Sequence, residues 1–126
     1  MMINDPATLA EMTALFEAYE RALVGNDVEA LDAFFLPGAT AIRYGATENL
    51  YGIEEIRAFR AARSPVGLAR SLERTQITTY GKDFAVAATL FRRGGTTKIG
   101  RQMQTWVRFP EGWRIVAAHV SLIDAA

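Results

Sequence analysis

Three polar side chains that can bind an acid or move a proton recur in the last two β-rich runs of the chain: Arg101, His119 and Ser121. The loop Pro110–Gly112 separates the runs, and three loop residues ending in glycine are typical of a β-hairpin. This loop length predicts that Arg101 lies opposite Ser121. Because strand side chains alternate between faces, all three polar residues then share one face. We expect that face to line a pocket in which Arg101 binds a carboxylate and His119 exchanges a proton, although a single strand histidine is more often structural.

The register of this hairpin decides which side chains face the pocket. It is expected to pair Phe109 with Trp113 beside the loop. Further along, Met103 pairs with His119 and would contribute an apolar side chain to the pocket floor. A slip of one residue would exchange the two faces of one strand. The other face is too apolar to contact solvent, so we predict that it forms a homodimer interface. Its apolar residues are Trp106, Val116, Val120 and Leu122.

The N-terminal half supplies further candidates. Arg43 lies in a short strand, as a carboxylate-binding fork at the cavity mouth or as a surface residue of an edge strand. Arg60 lies near the buried side of a predicted helix and is expected in the pocket, and Arg63 ranks below it. Tyr19 is on the apolar face of the first helix, where core packing competes with a hydroxyl group that enters the cavity as a proton donor. Glu48 is expected to bind substrate or an arginine.

Helical and strand patterns are segregated along the chain, which indicates an α+β fold. The predicted elements are helices over residues 5–25, 27–35 and 53–63, a short strand over 39–44, and four long antiparallel strands within 71–123. A long curved sheet has one face to bury, and only the helices can cover it. We therefore predict a cone-shaped half-barrel with three N-terminal helices on its concave face and a cavity at its open end. All 126 residues are predicted to form one domain.

Composition narrows the classes of function. Fourteen basic and fourteen acidic side chains cancel, so nothing in the charge favours nucleic acid or an anionic membrane as a partner. The chain has no cysteine and one histidine, which excludes thiolate chemistry and leaves no expected metal site. Neither a signal-peptide pattern nor an apolar run of roughly 20 residues is visible, so a cytoplasmic protein is expected. No cofactor is predicted.

Several motifs resemble a known family. The helix-rich start, the four-strand finish and the pattern W-x-I-x-x-x-H-x-S are similar to the SnoaL-like, nuclear transport factor 2-like (NTF2-like) cone, a cystatin-like fold. Four more specific motifs resemble the AtzH-like family, which includes HpxZ-like proteins of oxalurate catabolism, and the resemblance runs from about Tyr19 to Leu122. Met103 departs from the small polar residue that we expect in that family. The motifs are R-x-G-x-x-E-x-x-Y-G from Arg43, F-R-x-x-R from Phe59, I-T-T-Y-G from Ile77 and G-R-Q-x-Q-T-W from Gly100.

The resemblance implies a small homodimeric protein of nitrogen catabolism that acts on ureido or carbamoyl acids. For AtzH-like members it implies conversion of a dicarboxylated urea to allophanate with loss of carbon dioxide, and hydrolysis of such a substrate is also open. The alternative is a non-catalytic ligand-binding or accessory subunit that docks onto an amidase. An isomerase of the steroid-isomerase type ranks lowest, because the last two strands supply no inward-facing acid.

Decarboxylation restricts how the arginines can be used. Loss of carbon dioxide pushes an electron pair onto nitrogen, so a proton donor is needed, and His119 or Tyr19 would supply it. An arginine on the departing carboxylate would oppose its loss, so Arg43 and Arg101 are expected on the carboxylate that stays. Ser121 is expected to orient the ligand or the histidine. Hydrolysis would require an activated water, and the sequence shows no strong pair of carboxylates to produce one.

Overall fold

The computed structural model describes residues 1–125 and has three helices on one side of a curved, unclosed six-stranded sheet. The sheet order is β2-β1-β6-β5-β4-β3, in which β1 pairs with β6 in parallel and the other neighbours are antiparallel. The predicted α+β cone is therefore confirmed. The helices are α1 (Pro6–Val24), α2 (Val28–Ala33) and α3 (Gly52–Ala62); the strands are β1 (Ile42–Tyr44), β2 (Asn49–Tyr51), β3 (Ser71–Tyr80), β4 (Phe84–Arg92), β5 (Ile99–Phe109) and β6 (Gly112–Ile123).

Helix α1 begins where its sequence signals place it and covers the concave face of the sheet. The Asp5 side chain accepts a hydrogen bond from the backbone N–H of Thr8 at 3.1 Å, and Pro6 occupies the first turn, where its missing N–H costs nothing. The apolar face of α1 packs against the sheet and anchors the core. Its buried members include Met12, Phe16, Tyr19 and Leu23, which cluster with Ala85, Ala87, Trp106, Trp113 and Ile115.

The segment between the second helix and α3 differs from the prediction of one strand followed by a loop. Strand β1 is shorter than expected, and the predicted loop contains β2, which folds back on β1 as a hairpin. The backbone N–H of Gly45 donates to the carbonyl of Glu48 at 2.9 Å and closes this tight turn. This hairpin brings Glu48 back beside Arg43, five residues earlier, which matters for the cavity described below.

The β5–β6 hairpin has the predicted register at its far end and a shifted register beside the loop. Arg101 lies opposite Ser121 as predicted, but Phe109 pairs with Gly112, so the connection contains two residues instead of the three that a Phe109–Trp113 register requires. The register changes between Thr105 and Trp106, where Val116 is the extra residue of a β-bulge on β6. The bulge exchanges the two faces of β6 for the residues that follow it, 117–123.

The predicted pocket face is wrong on both strands: on β5 the alternate residues turn inwards, and on β6 the bulge divides the predicted face between the two sides. Gln102 and Gln104 point to the concave side and are at most 3 % exposed. Arg101 and His119 are instead exposed on the convex side, together with Met103, which is 55 % exposed and does not form a pocket floor. The prediction that Arg101, His119 and Ser121 line the pocket is wrong, because only the turn-end residues Trp113 and Ile115 of that predicted face are turned inwards.

The predicted dimer residues do not form one patch on the outer side of the sheet. Trp106 is fully buried and packs edge-on against Phe34 of the helical layer, with ring centroids 5.9 Å apart. Val120 lines the cavity on the concave side. Leu122 is exposed further along the same strand, and Val116, the extra residue of the bulge, is half-buried. No helix of the described chain covers the convex face, and no helix among residues 1–125 is long and apolar enough to cross a membrane.

Candidate ligand-binding cavity

A cavity of about 230 Å³ lies at the open end of the cone, between α1, α3 and the concave face of the sheet. Its volume equals that of roughly eight water molecules at about 30 Å³ each, which suits a small metabolite. Aromatic and aliphatic side chains form part of the wall, and charged and amide groups form the rest. The lining residues are Tyr19, Leu23, Arg43, Ala46, Thr47, Glu48, Phe59, Arg63, Leu68, Arg70, Phe91, Arg93, Gln102, Gln104, Ala118 and Val120.

Arg43 enters the cavity from β1 as an ion pair with Glu48. Its Nη1 donates to Glu48 Oε1 at 3.0 Å, and its guanidinium lies over the Phe59 ring, 5.3 Å from the centroid. The other carboxylate oxygen accepts from the Thr47 hydroxyl at 2.6 Å. A methyl group at Gly45 would collide with the Glu48 carboxylate, so the glycine of the R-x-G-x-x-E motif is what allows this pair to form.

Glu48 is an ionised carboxylate in this setting. Burial raises its pKa, but the hydrogen bonds from Thr47 and Arg43 and the charge of Arg43 together outweigh burial, and the pKa lies below its usual value. The positive charge of Arg43 is therefore largely matched by Glu48 at neutral pH. Arg43 is therefore a hydrogen-bond donor in the cavity wall whose positive charge is offset by Glu48.

Arg70 forms a second ion pair and fixes the position of an amide. Its Nε and Nη2 donate to the two carboxylate oxygens of Glu20 at 2.9 and 2.6 Å, the bidentate geometry that a guanidinium favours. The same Nη2 also donates to Gln102 Oε1 at 3.0 Å. Because Oε1 is the acceptor, the NH₂ group of Gln102 must point the other way, and it has no hydrogen-bond partner in the described structure.

Phe91 holds two guanidinium groups beside the cavity. The Arg70 guanidinium carbon lies 4.6 Å from the ring centroid and that of Arg93 lies 4.9 Å from it, distances typical of cation–π contacts. The ring packs directly over Gly100, where any Cβ would overlap it. The first residue of the G-R-Q-x-Q-T-W motif therefore makes room for the aromatic ring that positions both arginines.

Arg63 and Arg93 carry positive charges that are not held in a salt bridge by any carboxylate within residues 1–125. Arg63 donates to the neutral amide oxygen of Asn26 at 3.3 Å, and neither arginine forms a salt bridge with a described residue. The Nε atoms of both are buried and lack a hydrogen-bond partner there. Desolvation lowers the pKa of Arg63, as does the charge of neighbouring Arg60; desolvation and the charge of Arg70 lower the pKa of Arg93. Both remain charged at neutral pH, since arginine loses its proton only at extreme pH.

The cavity therefore has a formal excess of two positive charges. Four guanidinium groups line it, and two of them are matched by the carboxylates of Glu48 and Glu20. Three of the four buried polar side-chain atoms that lack a partner in the described part of the chain belong to cavity residues, and all three are N–H donors: Arg63 Nε, Arg93 Nε and Gln102 Nε2. Buried donors without acceptors are costly, so this arrangement favours a ligand that is anionic and rich in acceptor oxygens.

Tyr19 and Gln104 complete the polar wall. Tyr19 is 4 % exposed, packs edge-on against Phe34, and its hydroxyl group makes no hydrogen bond to the described residues. It is near enough to Arg63 to affect the pKa of that arginine. Gln104 Oε1 accepts from the indole N–H of Trp106 at 3.1 Å, which turns the amide NH₂ towards the opposite side.

The structure brings together two of the predicted site residues and separates the others. Arg43 and Tyr19 line the cavity, as predicted. Arg60 is buried elsewhere, where its Nε donates to Asp32 at 3.1 Å, so its predicted place in the pocket is wrong. Arg101 donates to the Ser121 hydroxyl on the convex face, 3.1 Å away. The exposed His119 lies there too, with its ring 6.2 Å from that of Tyr44.

The cavity contains four polar residues that were not predicted from the sequence: Arg70, Arg93, Gln102 and Gln104. Arg70 and Arg93 lie just outside strands, at the start of β3 and the end of β4, where periodicity says little about direction. A usable signal existed for the two glutamines. Gln102, Gln104 and Trp106 are spaced two residues apart and therefore share one face of β5. A tryptophan in a long strand is expected in the core, which would have placed both glutamines on the concave side.

A curved, unclosed sheet under three helices, with a polar cavity lined by both, is the NTF2-like, cystatin-like fold. The chain belongs to the AtzH-like family, whose sequence profile matches residues 1–126. No curated protein matches the chain.

Solved structures support this assignment. A DUF3225-family protein of unknown function from Pectobacterium atrosepticum is 64% identical over 97% of this chain and 95% of that chain, with a TM-score of 0.95. A cystatin-like fold protein from Burkholderia xenovorans is 49% identical over 100% of this chain and 99% of that one, with a TM-score of 0.96. An NTF2-like protein of unknown function from Pseudomonas putida shares the fold at 19% identity and a TM-score of 0.76, over 91% and 86% of the two chains.

Proposed function

We propose that the protein binds a small dianion of the ureido or carbamoyl class, a dicarboxylated urea, and removes one carboxylate as carbon dioxide. The observation that carries this proposal is the pair of half-buried guanidinium groups of Arg63 and Arg93, whose Nε atoms are buried without a partner and which form no salt bridge with the described residues, in a cavity of about 230 Å³. Two excess positive charges attract two negative ones, and the unpartnered N–H groups supply donors for carboxylate and carbonyl oxygens.

The chemistry follows from where charge develops. When the N–COO⁻ bond breaks, its electron pair moves to the urea nitrogen and spreads to the urea carbonyl oxygen, and nitrogen then takes a proton. Donors that face the carbonyl contact it more strongly as this charge grows, so they lower the barrier. Arg93 is suited to the carboxylate that stays, at one end of the cavity. Arg63 and Tyr19 are neighbours. They are suited to the end of the cavity where negative charge develops on the urea carbonyl oxygen and nitrogen takes up a proton.

Tyr19 takes the role of proton donor in this proposal, in place of His119. Its hydroxyl group is at the cavity wall and is not engaged by the described residues, whereas the His119 ring is on the far side of the sheet. The departing carboxylate must not be held by a guanidinium fork, because such a contact would stabilise the ground state. The apolar wall of Leu23, Leu68 and Val120 offers a suitable place for it.

The first test measures binding without relying on turnover. Malonate, a stable small dianion, is expected to raise the melting temperature of the wild type and to bind in calorimetry. Arg63→Ala and Arg93→Ala should each weaken malonate binding by about 10- to 100-fold, since a hydrogen bond to a charged group contributes about 1.5–3 kcal/mol. The matched controls are Arg57→Ala and Arg92→Ala, which remove exposed arginines from the surface.

Turnover is tested by release of labelled carbon dioxide from a freshly prepared, carboxylate-labelled dicarboxylated urea, compared with a blank without protein. Tyr19→Phe should bind malonate normally but lose carbon dioxide release. If malonate binds wild type and controls alike and no carbon dioxide is released, the non-catalytic ligand-binding role is favoured. If malonate shows no binding, or binds the two cavity variants as well as wild type, the proposal fails. The amidase partner and the cytoplasmic location stay predictions.

A further inference from the structure

We infer that Gln102 is a specificity-determining residue, held by Arg70 and Glu20 as a fixed N–H donor that admits anions without an ammonium group and rejects amino acids. The inference rests on the proposed dianion site and defines which dianions it takes. It applies to the whole chemical class of ureido and carbamoyl acids, in which every nitrogen is an uncharged amide.

The orientation of the amide is set by two neighbouring side chains. Gln102 is 3 % exposed, and its Oε1 accepts from Arg70 Nη2 at 3.0 Å. Arg70 cannot turn away without losing its bidentate pair with Glu20, whose oxygens lie 2.6 and 2.9 Å from the guanidinium nitrogens. A flipped amide would place NH₂ against the guanidinium, donor against donor. Nε2 is therefore fixed as the group that lacks a partner in the described structure.

The remaining groups of the cavity match this donor. Arg63 Nε and Arg93 Nε are further unpartnered donors. The carboxylates nearest the ligand are already neutralised, Glu48 by Arg43 and Glu20 by Arg70. A ligand with carboxylate and carbonyl oxygens satisfies these donors. A ligand that adds an ammonium group would meet two uncompensated guanidinium charges and find no free carboxylate, so the site repels it.

Succinate and L-aspartate test this inference, because both carry two carboxylates and differ by one ammonium group. Wild type is expected to bind succinate at least about tenfold more tightly than aspartate, measured by calorimetry at neutral pH. Gln102→Glu replaces the unpartnered N–H donor by an acceptor while keeping an oxygen for Arg70. Succinate binding should then fall by about 10- to 100-fold, and the preference for succinate should largely disappear.

Two comparisons separate recognition from a structural effect. Gln76→Glu adds the same charge at an exposed position of β3 and should change neither ligand's affinity. In the unliganded protein, Gln102→Glu should keep or raise the melting temperature, because the new carboxylate neutralises part of the positive excess. Gln102→Met, which has neither donor nor acceptor, should weaken succinate without improving aspartate.

The outcomes are distinguishable. If wild type binds neither succinate nor malonate, the proposed dianion site itself fails. If wild type binds malonate and succinate but binds aspartate equally well, or if Gln102→Glu keeps the succinate preference, the dianion site stands and the role of Gln102 is overturned. A Gln102→Glu variant that melts lower and loses both ligands equally would assign Gln102 a structural role and also overturn the inference.

Discussion

Arg43 and Glu48 form a pair whose charges work in opposite directions on an anionic ligand. The Arg43 and Glu48 side chains are only 12 % and 17 % exposed, so solvent screens them less than a surface pair. Arg43 attracts the ligand and Glu48 repels it, and each is the main partner of the other. An arginine in a binding motif can already be paired with a carboxylate, as Arg43 is. In this cavity the positive charges without a salt bridge are those of Arg63 and Arg93.

Glu48→Gln should tighten malonate binding by about three- to tenfold, because it removes a negative charge a few ångströms from the ligand while an amide still accepts from Arg43. Arg43→Ala should do the reverse. It leaves the Glu48 carboxylate without its guanidinium, weakens malonate binding at least about tenfold, and lowers the free energy of unfolding by about 1–3 kcal/mol while the chain still folds. Calorimetry and urea unfolding provide the two measurements.

The exposed Glu54→Gln change is the control for Glu48→Gln, since Glu54 is 88 % exposed and pairs only with Arg57 on the surface. It should leave malonate affinity unchanged. A Glu48→Gln variant that binds malonate more weakly than wild type would show that the carboxylate itself contacts the ligand, contrary to the charge argument.

At the scale of residues, sequence could indicate the chemistry better than the position of each group. For Arg43 and Tyr19 the sequence left two places open, the cavity being one of them in each case, and both residues line the cavity. Arg60 obeyed helical periodicity but pairs with Asp32, 28 residues earlier in the chain, a partner that no local pattern reveals. Arg93 follows a strand and is oriented by Phe91, so its direction depends on tertiary contacts.

At the scale of elements, one extra residue in β6 determines which side of the sheet the second half of that strand faces, and the sequence did not reveal it. The helix starts, the α+β order and the span of β3 follow from caps, turns and alternation, and they agree with the structure. The alternation of polar and apolar residues does not reveal the bulge, because valine at position 116 is an ordinary strand residue. The bulge at Val116 inverts the face of everything beyond it on β6, so His119 moved from the predicted pocket to the convex side.

Gly100→Ala tests how far the strands depend on one close contact. A Cβ at Gly100 would overlap the Phe91 ring, which is 2 % exposed and supports Arg70 and Arg93. The ring must shift, so the variant should lose about 1–3 kcal/mol of unfolding free energy and also bind malonate more weakly. Urea unfolding and calorimetry measure the two losses.

Gly94→Ala is the matched control, because a Cβ at Gly94 meets no atom within 4 Å. It should leave malonate affinity as in wild type and change stability little. If Gly100→Ala were as stable as Gly94→Ala and bound malonate normally, the Phe91 ring would not be what positions the two guanidinium groups.

At the scale of the whole molecule, the convex face of the sheet is a surface that no helix among residues 1–125 covers. Several large apolar side chains on the sheet are substantially exposed, and a face of this kind on a chain of zero net charge favours association. We propose that a second copy of the chain covers it, which keeps the predicted homodimer but changes its residues. The residues proposed for the interface are Ile42, Tyr44, Phe84, Met103 and Val116.

Met103→Glu should convert the proposed dimer to a monomer, because Met103 is 55 % exposed near the middle of the convex face and would be buried by a second copy. A carboxylate there would lose its hydration without gaining a partner, at a cost of several kcal/mol across two symmetric positions.

Sedimentation equilibrium measures the mass of each variant, and Val66→Glu, at an 82 % exposed loop position, should sediment as wild type does. Malonate affinity should survive in the Met103→Glu monomer, since the cavity is lined by residues of one chain. A wild type that is monomeric at high concentration, or a Met103→Glu variant with the same mass as wild type, would rule out this face as the interface.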